Sequence, residues 1–258
     1  MLYPTRKPMI NAVDGADMIW IPAGEFITGS SDADIAAILQ RHHDWDANWF
    51  AHEKPQHTVT LPGFWIYTYP VTVAQYRTFC TATAREMPDA PDWGWVETHP
   101  IVNVTWQDVN DYAAWAHAAI PTEYQWEKAA RGTDGRCWPW GNAWEPERCA
   151  YTANSASTIV VGSYPGGASP YGVMDMAGNV WEWCLAAPVG DYNSLPHRYP
   201  PQRHSPAPSG YVLRGGAWSC AFDDYLRCAY RCFQCDTQRG HGPYIRPTNG
   251  FRCVVNAE

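Results

Sequence analysis

Four cysteines late in the chain have the residue type and spacing for metal or redox chemistry. Cys228, Cys232 and Cys235 show the C-x3-C-x2-C spacing found around some iron–sulfur clusters, and Cys220 precedes them. That motif belongs on a loop after the first strand of a βα barrel, so its late position argues against a cluster. A four-cysteine zinc site is a second alternative, although such sites usually need two groups of closely spaced cysteines and only one is clear here. Chance clustering is the favoured interpretation.

Three histidines also lie near acidic residues. His42, His43 and His52 are close in sequence to Asp44, Asp46 and Glu53. Their spacing matches no common metal motif, and histidines of this kind usually pack in loops or face solvent. The sequence therefore favours a structural role for all three.

Eight short motifs follow one another along the chain. They are MIWIPAGEF (18–26), PVTVAQY (70–76), PIVNVTW (100–106), PTEYQWEKAARG (121–132), WPWG (138–141), GNVWEW (178–183), LRGG (213–216) and GFRC (250–253). In this order they resemble the formylglycine-generating enzyme family, also called the sulfatase-modifying-factor domain. The resemblance runs from about residue 16 to 255. It implies an α+β, C-type-lectin-like fold that is loop-rich with little regular secondary structure, with an N-terminal extension (1–15) and a single domain (16–258).

The family that the motifs resemble has several functions. It includes oxidases that use copper and oxygen on a substrate cysteine, and iron-dependent sulfoxide synthases with an extra helical domain. It also includes non-catalytic variable proteins of diversity-generating retroelements. Membership of the fold therefore does not decide the activity.

The resemblance makes Cys220 the candidate catalytic residue. In the oxidases a stretch resembling Arg-Gly-Gly-Ser-Tyr-x-Cys is followed five residues later by a second cysteine, and the two thiolates hold Cu(I), an ion that prefers soft sulfur ligands. Here the serine is replaced by Ala217 and the second cysteine by Tyr225. Cys228 is a less suitable substitute, because its position looks structural in the family. The departures predict that oxidase activity is lost; the alternative is a copper- or iron-dependent oxidoreductase with an altered site at Cys220.

Calcium is the other metal that the resemblance implies. Asp175, Gly178, Val180 and Glu182 match a calcium-binding loop of the family, which would supply side-chain and carbonyl oxygens. A second site at 154–155 is less complete, because the acidic loop that closes it is shortened; its residues are Asn154 and Ser155. The alternative is that Asp175 and Glu182 are structural acids bonded to loop amides.

Local patterns predict the elements that position these residues. Short strands are expected at 18–22, 58–60, 64–67, 211–214 and 251–255, and the first and last are expected to lie side by side. Helices are expected to begin at Thr72, Thr105 and Thr122, since a Gln three residues after Thr72 and Thr122 completes a capping box. From 132 to 209 the hydrophobic residues follow neither the helical nor the strand periodicity, which predicts an ordered region of long loops.

Composition limits the classes of function. With 46% hydrophobic and 17% charged residues among 258, disorder and coiled coil are excluded, and no apolar run is long enough to span a membrane. The net charge of −8 argues against nucleic acid as a partner. Because no apolar segment follows the basic residues near the N-terminus, we expect a cytoplasmic protein whose cysteines are mostly buried thiols.

The sequence as a whole predicts a binding protein for a protein or peptide ligand. Its recognition surface is expected within residues 217–249, where aromatic and short polar residues alternate as in adaptable binding loops. The expected contact residues are Trp218, Ser219, Cys220, Phe222, Asp223, Asp224, Tyr225, Phe233, Gln234, His241, Tyr244 and Ile245.

Overall fold

Nine short strands and four α-helices form the regular structure of residues 7–185, 211–232 and 246–257, which the computed structural model describes. The strands are β1 (Met9–Ile10), β2 (Asp17–Ile21), β3 (Gly24–Thr28), β4 (His57–Leu61), β5 (Phe64–Tyr67), β6 (Trp181–Leu185), β7 (Tyr211–Arg214), β8 (Asn249–Gly250) and β9 (Val254–Asn256). The helices are α1 (Asp32–Arg41), α2 (Val73–Thr83), α3 (Trp106–Trp115) and α4 (Glu123–Arg131). Short 3-10 helices cover Ala47–Glu53, Pro146–Arg148, Pro165–Gly167 and Asp223–Leu226. The mixed, loop-rich α+β class is confirmed.

The strands form three small sheets. One sheet has the order β1-β2-β5-β9 with antiparallel neighbours, a second pairs β3 with β4, and a third has the order β7-β6-β8. In the third sheet β6 and β8 run parallel. The predicted contact between the first and last strands is wrong in detail, because β5 lies between β2 and β9.

Each of the four helices begins with a capping box. The caps are Ser31, Thr72, Thr105 and Thr122, and each accepts a hydrogen bond from the amide three residues later. The three threonine caps were predicted, because a capping box depends on residues only three apart. Gly132 ends α4, also as predicted.

Helix α4 lies at the centre of the molecule and carries buried charge. Glu123 pairs with Arg231 at 2.6 Å, and Glu127 pairs with Arg214 at 2.6 Å and with Arg131 at 2.8 Å. All of these side chains are at most 4% exposed. The pairs hold the region from 214 to 231 against α4, because a charge left alone in this interior would be strongly unfavourable.

Several elements were not predicted. Helix α1 was missed although Ser31 and Asp34 form its capping box and Ile35 and Ile38 are its buried face. Strand β6 was placed among loops, because residues 181–184 are all buried and show no polar alternation. The last strand was expected over 251–255, whereas β9 covers Val254–Asn256.

Candidate functional site around Cys220 and Asp223

Cys220 follows a tight turn that leads out of β7. Gly215 and Gly216 have φ values of 90° and 75°, and a Cβ on Gly216 would lie 2.2 Å from Cδ2 of Leu226. Glycine is therefore required at 216 both for its conformation and for space. The turn brings Ala217 and Cys220 into the interior, where they are 0% and 6% exposed.

The Cys220 thiol is protected rather than activated. Its Sγ accepts a hydrogen bond from the amide of Ala217 at 3.3 Å. Burial raises the pKa of Cys220 to about 12, and the amide opposes this only in part. A thiol with such a pKa is protonated at neutral pH, so it is a poor nucleophile.

Cys149, which the sequence did not single out, lies near Cys220 in the fold. The amide of Thr152 donates to the Cys220 carbonyl at 3.2 Å, which holds the segment from Cys149 to Thr152 beside Cys220. Burial, with a further contribution from Cys220, raises the pKa of Cys149 to about 12. Cys228 is instead held by its amide, which donates to the carbonyl of Cys137 at 2.8 Å.

The zinc alternative is contradicted. Cys232 is disulfide-bonded, so its sulfur has no thiolate to offer a metal. The predicted thiols are otherwise found in the part of the chain that the structure describes: seven cysteines there are free, and all but Cys137 are buried.

Tyr225, which occupies the position of the second copper ligand, points into an aromatic cluster, the Trp45 cluster. It stacks on Trp45 with ring centroids 5.7 Å apart and an interplanar angle of 10°. Phe222 meets both rings edge-on at 5.1 and 5.8 Å, and His42 stacks on Trp45 at 3.9 Å. Tyr225 and Ala217 together do not fit a two-thiolate copper site at Cys220.

Asp224 has a different role from the one predicted. Its carboxylate is 0% exposed, with Arg41 Nη2 at 2.5 Å and His42 Nε2 at 2.8 Å. Asp224 and the buried Cys220 are therefore not part of an exposed recognition surface, which corrects that prediction. Charge neutralisation in the interior explains the burial of Asp224.

Other predicted contact residues do reach the surface. Ser219 and Phe222 are exposed, the latter to 41%, whereas Asp223 and Trp218 are half-buried. Trp218 meets Trp93 edge-on at 5.4 Å and donates from Nε1 to the carbonyl of Pro247 at 3.1 Å. The remaining predicted contact residues lie outside the described residues; they are Phe233, Gln234, His241, Tyr244 and Ile245.

A second aromatic cluster, the Trp144 cluster, contacts the backbone of Asp223. Its rings are Trp138, Trp140, Trp144 and Tyr151, with successive centroids 5.3 to 6.4 Å apart. Nε1 of Trp138 donates to the carbonyl of Asp223 at 3.3 Å. Two of these tryptophans belong to the WPWG motif, so the sequence already indicates an aromatic cluster at this position.

The predicted calcium loop is occupied by protein contacts. Both oxygens of Glu182 accept hydrogen bonds from Arg252, at 2.7 and 2.6 Å, and Trp126 Nε1 donates to one of them at 2.8 Å. Asp175 accepts from the amide of Gly162 at 2.7 Å, the loop-amide contact of the structural alternative. Glu182 as it stands does not fit a calcium cage, and calcium binding at this loop stays a prediction.

Gly178 and Val180 lie in the same buried loop. A Cβ on Gly178 would lie 2.1 Å from the carbonyl oxygen of Ala150, so this glycine serves close backbone packing. Val180 is 1% exposed.

The second predicted calcium position is held by local turns. Asn154 Oδ1 accepts from the amide of Tyr151 at 2.9 Å, and Ser155 Oγ donates to the carbonyl of Ser157 at 2.7 Å. These contacts explain why both residues are polar without an ion, and this second site also stays a prediction.

Comparison with known proteins identifies the scaffold. Residues 5–257 match the sulfatase-modifying factor enzyme 1-like domain. The chain is 33% identical over 264 residues to the serine/threonine-protein kinase Pkn1 of Chlamydia trachomatis, covering 94% of this chain and 38% of the kinase. It is 28% identical over 317 residues to the formylglycine-generating enzyme of Thermomonospora curvata, covering 98% of this chain and 97% of that enzyme. The chain thus spans about two fifths of the chlamydial kinases that it matches.

Solved structures share the fold at low sequence identity. PvdO from Pseudomonas aeruginosa superimposes with a TM-score of 0.72 at 21% identity, over 99% of this chain and 100% of that chain. Treponema denticola variable protein 1 superimposes with a TM-score of 0.66 at 20% identity, over 98% and 100%. Among the described residues, no helix has the length and apolar character to cross a membrane.

Proposed function

The chain belongs to the sulfatase-modifying factor enzyme 1-like family, and we propose that it uses this scaffold to bind a protein or peptide ligand rather than to oxidise a substrate. The observation that carries the proposal is the pattern of exposure around Cys220. The thiol is buried, whereas Ser219 and Phe222 on either side of it are exposed. A catalytic thiol needs access and a low pKa, and an anchoring aromatic needs exposure.

The two aromatic clusters give the surface its chemistry. Half-buried rings of the Trp45 and Trp144 clusters flank Asp223, and rings of this type supply large contact areas at low entropic cost. The Asp223 carboxylate and the net charge of −8 favour a basic ligand. We therefore expect peptides that combine Lys or Arg with apolar residues.

A library of random peptides displayed on phage tests this function. Clones selected on the wild-type protein are expected to lose binding to Phe222→Ala and to Trp144→Ala. Ile10→Ala is the matched control, because Ile10 is also a large exposed hydrophobic residue, 63% exposed, but lies on the edge strand β1. Binding that survives both aromatic substitutions, or a library that yields no clones, contradicts the proposed surface.

The proximity of Cys149 to Cys220 favours the rival function, an oxidoreductase with an altered site. Two soft thiolates are the ligands that Cu(I) prefers, and the fold brings the Cys149 thiol near that of Cys220. Incubating copper-treated protein with a Cys-x-Pro-x-Arg peptide separates the two functions. We expect the peptide mass to stay unchanged, and conversion of its cysteine to an aldehyde would overturn the proposed function.

A further inference from the structure

Three potential metal-binding side chains meet beside the Trp45 cluster. One ligand atom each from His42, Asp223 and Asp224 lies within 4.8 Å of the other two. His42 follows α1, whereas the two aspartates begin the 3-10 helix Asp223–Leu226. The fold has therefore brought an imidazole to a pair of adjacent carboxylates from a position 182 residues away.

Each oxygen of the Asp224 carboxylate has its own partners. Its Oδ1 is 2.5 Å from Nη2 of Arg41 and 3.5 Å from Nε of Arg227. Its Oδ2 faces Nε2 of His42 at 2.8 Å. The two arginines at Oδ1 orient the Asp224 carboxylate in the same way that outer-shell hydrogen-bond partners orient metal ligands.

The His42 ring is positioned as firmly as the carboxylate. It stacks on Trp45 at 3.9 Å with an interplanar angle of 12°, and Phe222 meets it edge-on at 5.4 Å. The His42 side chain is 18% exposed, so solvent has access to the cluster. Packing of this kind fixes the direction of the ring nitrogen while leaving a path for a small ion.

Asp223 is less firmly paired than Asp224, because Arg41 and His42 act on its charge without forming an ion pair with it. Within the described ranges, no ion pair is formed by its carboxylate, although the neighbouring Asp224 carries the same charge. A half-buried carboxylate next to a second carboxylate is stabilised by a cation placed between them.

We propose that His42, Asp223 and Asp224 form a binding site for a first-row divalent metal ion such as Mn²⁺ or Zn²⁺. Imidazole and carboxylate ligands suit these ions. Ligand atoms around a tetrahedral ion at about 2.1 Å lie about 3.4 Å apart, so small side-chain rotations bring the three atoms to ligand distances. The remaining coordination positions would take water or an oxygen atom of a ligand, since the cluster is accessible to solvent through His42.

Titration with Mn²⁺, followed by the EPR signal of the free ion, tests the site. Mn²⁺ is chosen because it prefers oxygen and imidazole ligands, so that the free thiols do not compete. The full chain is expected to bind Mn²⁺, and both His42→Ala and Asp223→Asn are expected to weaken this binding at least tenfold. His43→Ala is the matched control, since His43 is the neighbouring exposed histidine, and its affinity should stay within twofold of wild type.

The outcomes separate the site from other carboxylates of the chain. Mn²⁺ binding that is equal in wild type and His42→Ala would place the ion elsewhere and overturn the proposal, as would a folded wild-type protein that binds no Mn²⁺. Asp224→Asn is unsuitable as a test, because it breaks a buried ion pair. Circular dichroism and the melting temperature of each variant establish that the fold is retained.

Discussion

Arg227 and Glu53 form a buried bidentate ion pair across 174 positions of sequence. Nη1 lies 2.9 Å from Oε2, and Nη2 lies 2.9 Å from Oε1. Glu53 ends the 3-10 helix Ala47–Glu53, and Arg227 directly follows the 3-10 helix that carries Asp223. The pair therefore fastens the segment that contains Trp45 to the loop that contains the candidate site.

Replacing Glu53 by Gln should lower the free energy of unfolding by about 3–5 kcal/mol, because the buried Arg227 charge would lose its bidentate partner and keep only Asp224, at 3.5 Å. Urea unfolding followed by tryptophan fluorescence measures the change. The control is Glu97→Gln, which breaks the exposed pair with Arg77 and should cost much less. If both variants lowered the free energy of unfolding by similar amounts, the buried pair would contribute no more to stability than the exposed one.

Stability should fall in acid, partly through Glu53. Burial alone raises its pKa, but the charge and hydrogen bonds of Arg227 outweigh this, and the pKa of Glu53 lies below its usual 4.5. A lowered carboxylate pKa in the folded state stabilises the protein above about pH 4.5, and this contribution is lost as the pH falls further. Urea midpoints between pH 3 and 7 should therefore drop less steeply for Glu53→Gln than for wild type.

Asp175 should show the opposite pH dependence. Burial raises its pKa to about 6, against the amide of Gly162 and the charge of Arg252. The folded state then holds the proton more tightly than the unfolded chain, so the contribution of Asp175 to stability declines between about pH 4 and 6. Asp175→Asn should be more stable than wild type at pH 7 by about 1–2 kcal/mol, and Asn tolerates the φ of 57° at this position. A less stable variant at pH 7 would contradict this.

Calcium gives a separate expectation for the same loop. If the ion binds there, it stabilises the folded state, so the melting temperature of the wild type should rise with added Ca²⁺ and fall with a chelator. Asp175→Asn should show neither change. Equal melting temperatures of the wild type in calcium and in chelator would leave Asp175 and Glu182 as structural acids.

Cys220 should resist alkylation in the folded protein. With a pKa of about 12, only about one thiol in ten thousand is ionised at pH 8, and the buried sulfur is also shielded. Peptide mapping by mass spectrometry after treatment with iodoacetamide measures its modification, with urea-unfolded protein as the positive control. Rapid modification of Cys220 without urea would mean that the thiol is accessible, which would weaken the binding proposal.

Local signals in the sequence determined much of the architecture. The caps at Thr72, Thr105 and Thr122 were readable because each depends on side chains three residues apart. The same rule was available for Ser31, whose capping box precedes a helix that was nevertheless missed. Strand β6 had no such signal, because a fully buried strand has no alternation.

The role of each polar residue in the candidate site was decided by the tertiary structure alone. Asp224 looks like a surface acid in sequence, and only the approach of Arg41 and His42 makes its burial favourable. Glu182 matches a calcium loop in sequence, yet Arg252 takes both of its oxygens. Charges pair through space over distances that no local pattern records, so the sequence could identify the scaffold and some residues of the site, such as Asp223, but neither the part of His42 and Trp45 in it nor which of its charges are already paired within the fold.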